Sequence, residues 1–350
     1  MSLKRPLIIA GPCSAETEQQ TLATCEALAA TGKVDMLRAG VWKPRTKPGT
    51  FEGMGIKALP WLAEAKRRTG LPISTEVATA KHIDEASAFD VDMFWIGART
   101  TSSPFVMQEI AEALRGTDRP VYVKNPLNID VELWVGAVER LAACGVKNVG
   151  LIHRGFSGYG SGVLRNTPMW HLALEIRRRL PELPMLCDPS HICGNRAYIA
   201  DISQQAADLD FDGLIIESHI SPETALSDAS QQLTPADLVA LLDGVKWRDN
   251  ASQSVAYQNA LDELRGRIDR LDSEIYKLLA ERMNAAEQIG RIKRDNNVMI
   301  LQSSRWSEIV ERVLASSANL GLSEDFLRTL LDAIHIESIN RQNRVMREPK

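Results

Sequence analysis

PLIIAGPCSAE, residues 6–16, contains an apolar run of strand length that ends in a glycine and passes directly into polar residues. A helix-like segment follows over residues 18–30, and the next apolar run, DMLRA, begins at Asp35. The order strand, polar exit, helix and strand indicates two parallel strands joined by a crossover helix.

The same unit recurs along the first 249 residues. The candidate strands are PLIIA, DMLRA, PISTE, MFWIG, PVYVK, NVGLI, LPMLC and DGLII. Eight strand–helix units in about 250 residues predict an α/β (β/α)8 TIM barrel over residues 1–249. A doubly wound sheet is the alternative, but we find no dinucleotide-binding glycine fingerprint after a strand.

The pattern changes after residue 249. Residues 250–257 are polar and are predicted to be a linker. From Leu261 to Leu278, leucine and isoleucine recur at alternating steps of three and four, which predicts a long amphipathic helix reaching about Arg294. Two shorter helices are predicted over 303–316 and 323–347. Residues 258–350 are therefore expected to form a small all-α domain whose long helix needs partners.

The composition narrows the class of protein. The 350 residues carry a formal net charge of −4, which argues against a nucleic-acid-binding protein. No apolar run is long enough to span a membrane, and the run after Lys4 and Arg5 is too short for a signal peptide. Five scattered cysteines do not suggest a disulfide framework. We expect a cytoplasmic protein.

Charged residues cluster where the predicted strands end, which in a barrel is the catalytic face. Taken alone, the basic stretch LRAGVWKPRTKPGTF, residues 37–51, reads as a solvated surface loop. Together, however, the cations of several strand exits converge, and they suit phosphate and carboxylate groups. Without a ligand, such close like charges would repel one another. The cations are Arg38, Lys43, Arg45, Arg99, Lys124 and Arg154.

Metal-ligating side chains are predicted at the same face. Cys13 follows the first strand, His191 the seventh and Glu217 the eighth, and Asp228 lies in the following segment. A thiolate, an imidazole and two carboxylates suit a divalent transition ion better than Ca²⁺ or Mg²⁺. We expect one such ion per barrel, Mn²⁺ or similar, with its identity open.

The motifs GPCSAE, KPRT, GART, VKNP, HRGF, DPSH and ESH resemble, in this order, those of 3-deoxy-D-arabino-heptulosonate 7-phosphate (DAHP) synthases. The resemblance implies condensation of phosphoenolpyruvate with erythrose 4-phosphate. It also implies metal ligation by the four residues above. In the mechanism that we expect, Glu76 is a candidate for positioning water. Phosphoenolpyruvate would bind to Arg38, catalytic Lys43, Arg99, Lys124 and Arg154, and the aldose phosphate to Arg45 and Thr46.

Two other barrel enzymes remain as alternatives. Octulosonate-phosphate synthases share the barrel but have an Asn-Arg-Ser pattern where this chain has Pro44, Arg45 and Thr46, which favours the four-carbon aldehyde. Class II aldolases normally hold their metal through histidines, so Cys13 and the KPRT motif speak against that class.

Residues 258–346 resemble AroQ-class chorismate mutases, which isomerise chorismate to prephenate. The positions that match the mutase site are Arg265, Arg282, Lys293, Arg305, Ser338 and Gln342. Arg282 and Lys293 are 11 residues apart and fall within about 20° on a helix, whereas Arg265 is about 100° out of phase with Arg282. Arg265 is expected to reach a partner subunit's site, which implies a homodimer through the helical domain.

Trp306 departs from the mutase pattern, because many mutases carry a glutamate there. An alternative function for the helical domain is therefore ligand sensing and dimerisation with little catalysis. Since a synthase that opens the route to chorismate is joined to a domain that uses it, we also expect feedback regulation, with prephenate as a candidate ligand.

Overall fold

The computed structural model describes residues 6–44, 49–158, 162–248, 254–301 and 303–348. The chain divides into two compact units, residues 1–250 and 251–350. The first carries all the strands of the described residues, and the second is helical.

Eight parallel strands close into a barrel in sequence order, and β1 pairs with both β2 and β8. This confirms the predicted barrel and rules out the doubly wound alternative. The strands are β1 (Leu7–Gly11), β2 (Met36–Arg38), β3 (Ile73–Val77), β4 (Met93–Ile96), β5 (Val121–Lys124), β6 (Val149–His153), β7 (Met185–Cys187) and β8 (Gly213–Glu217).

Ten helices accompany the strands of the first unit over its described residues. Several begin at polar caps: Thr17 accepts a hydrogen bond from the backbone N–H of Gln20, and Asp130 accepts one from that of Leu133. The helices are α1 (Glu18–Ala30), α2 (Leu59–Thr69), α3 (Ala80–Ala88), α4 (Ala98–Thr101), α5 (Pro104–Ala113), α6 (Val131–Ala143), α7 (Trp170–Arg179), α8 (Pro189–Cys193), α9 (Ile199–Asp208) and α10 (Pro235–Gly244).

The barrel has two apolar layers. One fills the space between strands and helices, and the other fills the interior. Trp95 is fully buried in the interior layer, with its ring beneath the guanidinium of Arg38 at 4.8 Å. The interior layer consists of Ile9, Met93, Trp95, Tyr122, Ile152, Leu186 and Ile215. It forms the floor on which the charged residues of the strand exits lie.

The helical unit contains α11 (Val255–Asp295), α12 (Ser303–Ala315), α13 (Ser317–Leu320) and α14 (Glu324–Met346). Ser254 caps α11, so the helix begins inside the stretch predicted as linker. α11 packs along α14, with Met283, Ala286 and Gly290 buried. No helix among the described residues combines the length and apolarity needed to cross a bilayer.

His153, the last residue of β6, is fully buried among aromatic rings. Its Nε2 lies 2.6 Å from the carbonyl oxygen of Pro168, and its Nδ1 has no partner among the described residues. The rings of Trp134, Phe156 and Trp170 lie within 6.3 Å of it, centroid to centroid. Burial lowers the pKa of His153 to about 4, because the apolar surroundings disfavour the imidazolium.

This environment predicts a loss of stability on acidification. In the unfolded chain His153 takes up a proton near pH 6.5, whereas in the folded chain it does so only near pH 4. The contribution of neutral His153 to the free energy of unfolding is therefore complete above pH 6.5 and falls as the pH drops below it. The loss reaches about 3 kcal/mol. His153→Gln keeps a donor for Pro168 without titrating, so its urea unfolding free energy should fall less over this range. Exposed His171→Gln is the control; parallel curves for wild type and His153→Gln would contradict the interpretation.

Candidate active site

Barrel closure brings three predicted metal ligands together. Gly11 at the end of β1 lies opposite Glu217 at the end of β8. Cys13 follows β1 directly, and the ligand atoms of Cys13, Glu217 and Asp228 all lie within 4.8 Å of one another. The Cys13 Sγ is 3.4 Å from Asp228 Oδ2.

His191 lies beside this cluster on α8. Its Nδ1 is 3.0 Å from Asp188 Oδ1, and its Nε2 is 3.8 Å from Glu217 Oε1. When Nδ1–H donates to Asp188, Nε2 is the nitrogen with the lone pair, the arrangement that a carboxylate imposes on a metal-binding histidine. The structure thus brings all four predicted ligands to one corner of the barrel.

The donor set fits a divalent transition ion. Glu217 Oε1 is buried and accepts no hydrogen bond from the described residues. Burial, reinforced by Glu217, raises the pKa of the Cys13 thiol to about 12, so an ion must displace a proton to bind the thiolate. By contrast, His191 and Arg38 outweigh the effect of burial on Glu217 and hold its pKa below the ordinary value.

Two predicted cations contact the same corner. Lys43 Nζ is 3.2 Å from Cys13 Sγ. Arg38 is buried, with Nη2 3.3 Å from Glu217 Oε1 and 3.2 Å from the Cys13 carbonyl oxygen. Its Nε and Nη1 have no partner among the described residues. A buried donor without a partner costs about 1–3 kcal/mol, which a bound anion would recover.

Three further predicted cations, Arg99, Lys124 and Arg154, line a cavity of about 370 Å³ above this corner. Burial lowers the pKa of Arg154 to about 10, which leaves its guanidinium charged at neutral pH. We call the corner formed by the predicted ligands Cys13, His191, Glu217 and Asp228 the metal corner. Two of its residues, His191 and Asp228, line the same cavity as the cations. The residues that line it are Lys43, Pro44, Glu76, Gly97, Ala98, Arg99, Lys124, Leu127, Arg154, Ser157, Arg165, Asn166, His191 and Asp228.

Glu76 is held in this cavity by its neighbours. Trp95 Nε1 donates to Glu76 Oε2 at 3.3 Å. A Cβ on Gly97 would lie 2.0 Å from Glu76 Oε1, so a larger residue there would displace the carboxylate from this position. Glu76 thus lies at the cavity wall. Its role in positioning water stays a prediction.

Two predicted residues are not described by the structure, and one residue that contacts the predicted ligands was not predicted. Arg45 and Thr46 fall outside the described residues. Asp188 was not assigned a role, yet it accepts from Lys124 Nζ at 2.6 Å while orienting His191. Burial alone would raise the pKa of Asp188, but His191 and Lys124 hold it well below its usual range. The Asp-x-x-His spacing in DPSH was the available signal.

A second cavity, of about 300 Å³, lies within the helical unit. It contains five of the six residues predicted for a mutase site. No acidic side chain lines it among the described residues, so its character is cationic and apolar. Its lining is Arg282, Ala285, Ala286, Ile289, Lys293, Ile300, Leu301, Arg305, Trp306, Ile309, His335, Ser338, Ile339 and Gln342.

Hydrogen bonds fix several of these side chains. Arg282 Nη1 donates to Ser338 Oγ at 2.6 Å, and Lys293 Nζ donates to the Ile300 carbonyl oxygen at 2.5 Å. Gln342 Oε1 is buried without a partner among the described residues. Trp306 stacks on His335 with ring centroids 3.9 Å apart. An aromatic pair therefore lies at the position where the resemblance leads one to expect a glutamate.

Arg265 is not part of this cavity. It lies on α11, 17 residues before Arg282, and at 1.5 Å per residue this separates them by about 26 Å. Its side chain is 66% exposed and approaches Asp262 at 3.8 Å. Within one subunit, Arg265 does not reach the cavity that contains Arg282.

A closed barrel with a mixed sulfur, nitrogen and oxygen corner beside a cationic cavity is typical of an enzyme that acts on phosphorylated, carboxylated substrates. Residues 3–253 match the model of the DAHP synthetase I family, and the chain belongs to this family. Residues 264–343 match the model of chorismate mutase type II. The chain thus combines a DAHP synthase domain with a chorismate mutase domain.

The curated relatives include two kinds of aldolase. Phospho-2-dehydro-3-deoxyheptonate aldolase of Thermotoga maritima is 33% identical over 226 residues, covering 65% of this chain and 64% of the relative. The 2-dehydro-3-deoxyphosphooctonate aldolase of Geobacter sp. strain M21 is 27% identical over 266 residues, covering 70% and 93%. The crystal structure of the Thermotoga maritima DAHP synthase superposes with a TM-score of 0.61 at 30% identity, covering 69% of this chain and 71% of that one.

Proposed function

We propose that the barrel condenses phosphoenolpyruvate with erythrose 4-phosphate to give DAHP and phosphate. The observation that carries this proposal is that the cations Lys43, Lys124 and Arg154 line the same cavity as His191 and Asp228 of the metal corner. A phosphate and a carboxylate can bind there beside a polarised aldehyde. The 33% identity to the Thermotoga maritima aldolase supports it, whereas the octulosonate enzymes are more distant.

The cations supply positioning and charge stabilisation. Arg38, Arg99, Lys124 and Arg154 would hold phosphoenolpyruvate so that its methylene carbon faces the aldehyde carbon. Lys43 would donate to the aldehyde oxygen as negative charge develops on it. The electron pair of the phosphoenolpyruvate double bond would form the bond from the methylene carbon to the aldehyde carbon, and the aldehyde oxygen would take up a proton. The carbon that bears the phosphate oxygen is then cationic; water adds to it with loss of a proton, and phosphate leaves from the resulting tetrahedral intermediate. Arg45 and Thr46 are proposed to bind the aldose phosphate, since the KPRT motif carries them.

A divalent ion fits this chemistry. Cys13, His191, Glu217 and Asp228 would hold it, and when bound it would act as a Lewis acid towards the aldehyde oxygen. Asp188 keeps the imidazole of His191 oriented towards the corner. Glu76, held by Trp95, is the group proposed to position the attacking water.

The metal site yields a direct test. Chelator-treated protein should lose DAHP formation and regain it with Mn²⁺ or a similar ion. Loss of a residue that only hydrogen-bonds to a metal ligand typically weakens metal binding about 10- to 100-fold. Cys13→Ser removes a predicted ligand itself, so it should weaken Mn²⁺ binding by more than this. Cys25→Ser is the matched control, because Cys25 is also buried but lies on α1 away from the site. Full activity without metal, or preference for arabinose 5-phosphate over erythrose 4-phosphate, would contradict the proposal.

We further propose that the helical unit isomerises chorismate to prephenate. The rearrangement is intramolecular, so the site needs only to hold the reactive conformer and stabilise charge on the breaking ether bond. Arg282 and Arg305 would bind carboxylates, with Ser338 fixing Arg282. Lys293 and Gln342 would donate to the ether oxygen.

The exposed side of α11 supports a homodimer. Ile268, Leu271, Ile275 and Leu278 are each about half exposed or more, so an apolar stripe of α11 is left uncovered by the described residues. A second copy laid along this stripe would cover it and bring its Arg265 towards the first copy's cavity. The shared site explains why Arg265 is distant from Arg282.

Arg282→Ala should lower kcat/KM for chorismate at least about 100-fold, because it removes a preorganised donor. Arg328→Ala, at an exposed arginine of α14, is the control. Mixing Arg265→Ala and Arg282→Ala chains under subunit exchange should restore one working site per heterodimer. No recovery despite exchange would exclude the shared site, and ligand binding without turnover by wild type would favour the sensing alternative.

We also propose that prephenate bound in the helical unit inhibits the barrel. A coupling of 1 to 3 kcal/mol corresponds to about 5- to 150-fold control. Prephenate should therefore slow DAHP formation in the intact chain and in Arg328→Ala, but not in Arg282→Ala. Equal inhibition of all three would place the inhibitory site on the barrel.

A further inference from the structure

Arg165 contacts the metal corner without being one of its predicted ligands. Its Nη1 donates to Asp228 Oδ1 at 3.0 Å, while Asp228 Oδ2 faces Cys13 Sγ at 3.4 Å. One carboxylate oxygen is therefore held by the guanidinium and the other points to the corner. Asp228 also has a left-handed backbone conformation, with φ of 49°. Few residues other than glycine adopt this conformation, and it fixes the direction in which the Asp228 side chain leaves the backbone.

The same Arg165 nitrogen orients a second side chain. It donates to Gln231 Oε1 at 2.9 Å, and Gln231 Nε2 donates to Glu217 Oε2 at 2.6 Å. If the amide were reversed, its oxygen would face a carboxylate and its NH₂ would face a guanidinium. Arg165 therefore selects the amide orientation that leaves Glu217 Oε1 available to an ion.

The backbone around Arg165 is tied to the helix that carries His191. Arg165 N donates to the Cys193 carbonyl oxygen at 3.1 Å, and Asn166 Nδ2 donates to that of His191 at 2.7 Å. Gly194 leaves space for the side chain, since a Cβ there would lie 2.6 Å from Arg165 Cβ. The position of Arg165 is thus set by the helix that carries a third ligand.

We propose that Arg165 is a positioning residue for the metal site: it fixes Asp228 directly and Glu217 through Gln231, and so determines metal affinity. The inference rests on the proposed metal-dependent function. The charge of Arg165 alone would weaken binding of a cation, whereas its hydrogen bonds preorganise two anionic ligands. The proposal states that preorganisation outweighs repulsion.

The sign of the change in metal affinity separates these effects. Mn²⁺ binding is measured without substrates in wild type, Arg165→Gln and Arg165→Lys, the last keeping the charge but not the planar fork. If positioning dominates, both variants raise the Kd for Mn²⁺ by about 10- to 100-fold. Tighter binding in Arg165→Gln, or an unchanged Kd, would overturn the proposal.

Two further variants test the route. Arg196 donates to the Ala229 carbonyl oxygen at 3.0 Å but, among the described residues, forms no hydrogen bond to a predicted ligand side chain, so Arg196→Gln is the control that removes a nearby arginine and should leave the Kd unchanged. Gln231→Met should weaken Mn²⁺ binding, and its effect should be less than additive with that of Arg165→Gln, because the two act through one chain of hydrogen bonds. Full additivity would overturn the role of Gln231 as the link.

The cavity position of Arg165 defines the opposing outcome. If Arg165→Gln instead raises KM for a phosphorylated substrate at saturating Mn²⁺ while the Kd for Mn²⁺ stays at the wild-type value, Arg165 binds substrate and the proposal is wrong. Failure of the proposed function would appear separately, as wild-type protein that binds Mn²⁺ but forms no DAHP.

Discussion

The pairing of β1 with β8 is the constraint on which the site depends. It places Gly11 opposite Glu217, so residues more than 200 positions apart in sequence become neighbours at one rim. Cys13 and Asp228 then meet Glu217 within 4.8 Å. An open sheet would leave the first and last strands at opposite edges and the ligands apart. Closure therefore creates the metal corner as well as the core.

Ion pairs hold the buried cations at the same rim. The deepest cations are paired: Arg38 with Glu217 at 3.3 Å, and Lys124 with Asp188 at 2.6 Å. Buried charges are tolerated when they are paired and hydrogen-bonded, so these carboxylates stabilise the cations that are proposed to bind substrate. Arg38 still keeps two buried donors without partners among the described residues. The fold thus accepts a local cost that a bound anion would remove.

In the helical unit, the cavity depends on the close packing of two helices. Its cavity lies where α11 and α14 approach closely: a Cβ on Gly290 would lie 3.1 Å from Gln342 Cα. This close packing places Arg282 against Ser338 but leaves the earlier turns of α11 exposed. The long helix thus carries an exposed apolar stripe, with Arg265 far from the cavity. The barrel site, by contrast, is assembled within one chain.

The sequence by itself determined the eight strands, the long helix and the chemical types at the strand exits, because these follow from local periodicity and from the rule that parallel strands end at one face. The motifs also suggested residues for two sites, and the described ones lie at one rim or around one cavity, apart from Arg265; their roles stay predictions. Only the tertiary structure revealed Asp188 between Lys124 and His191, and Arg165 linked through Gln231 to Glu217. Those contacts join different strand–helix units, and their distances depend on barrel closure and side-chain packing, which no local pattern encodes.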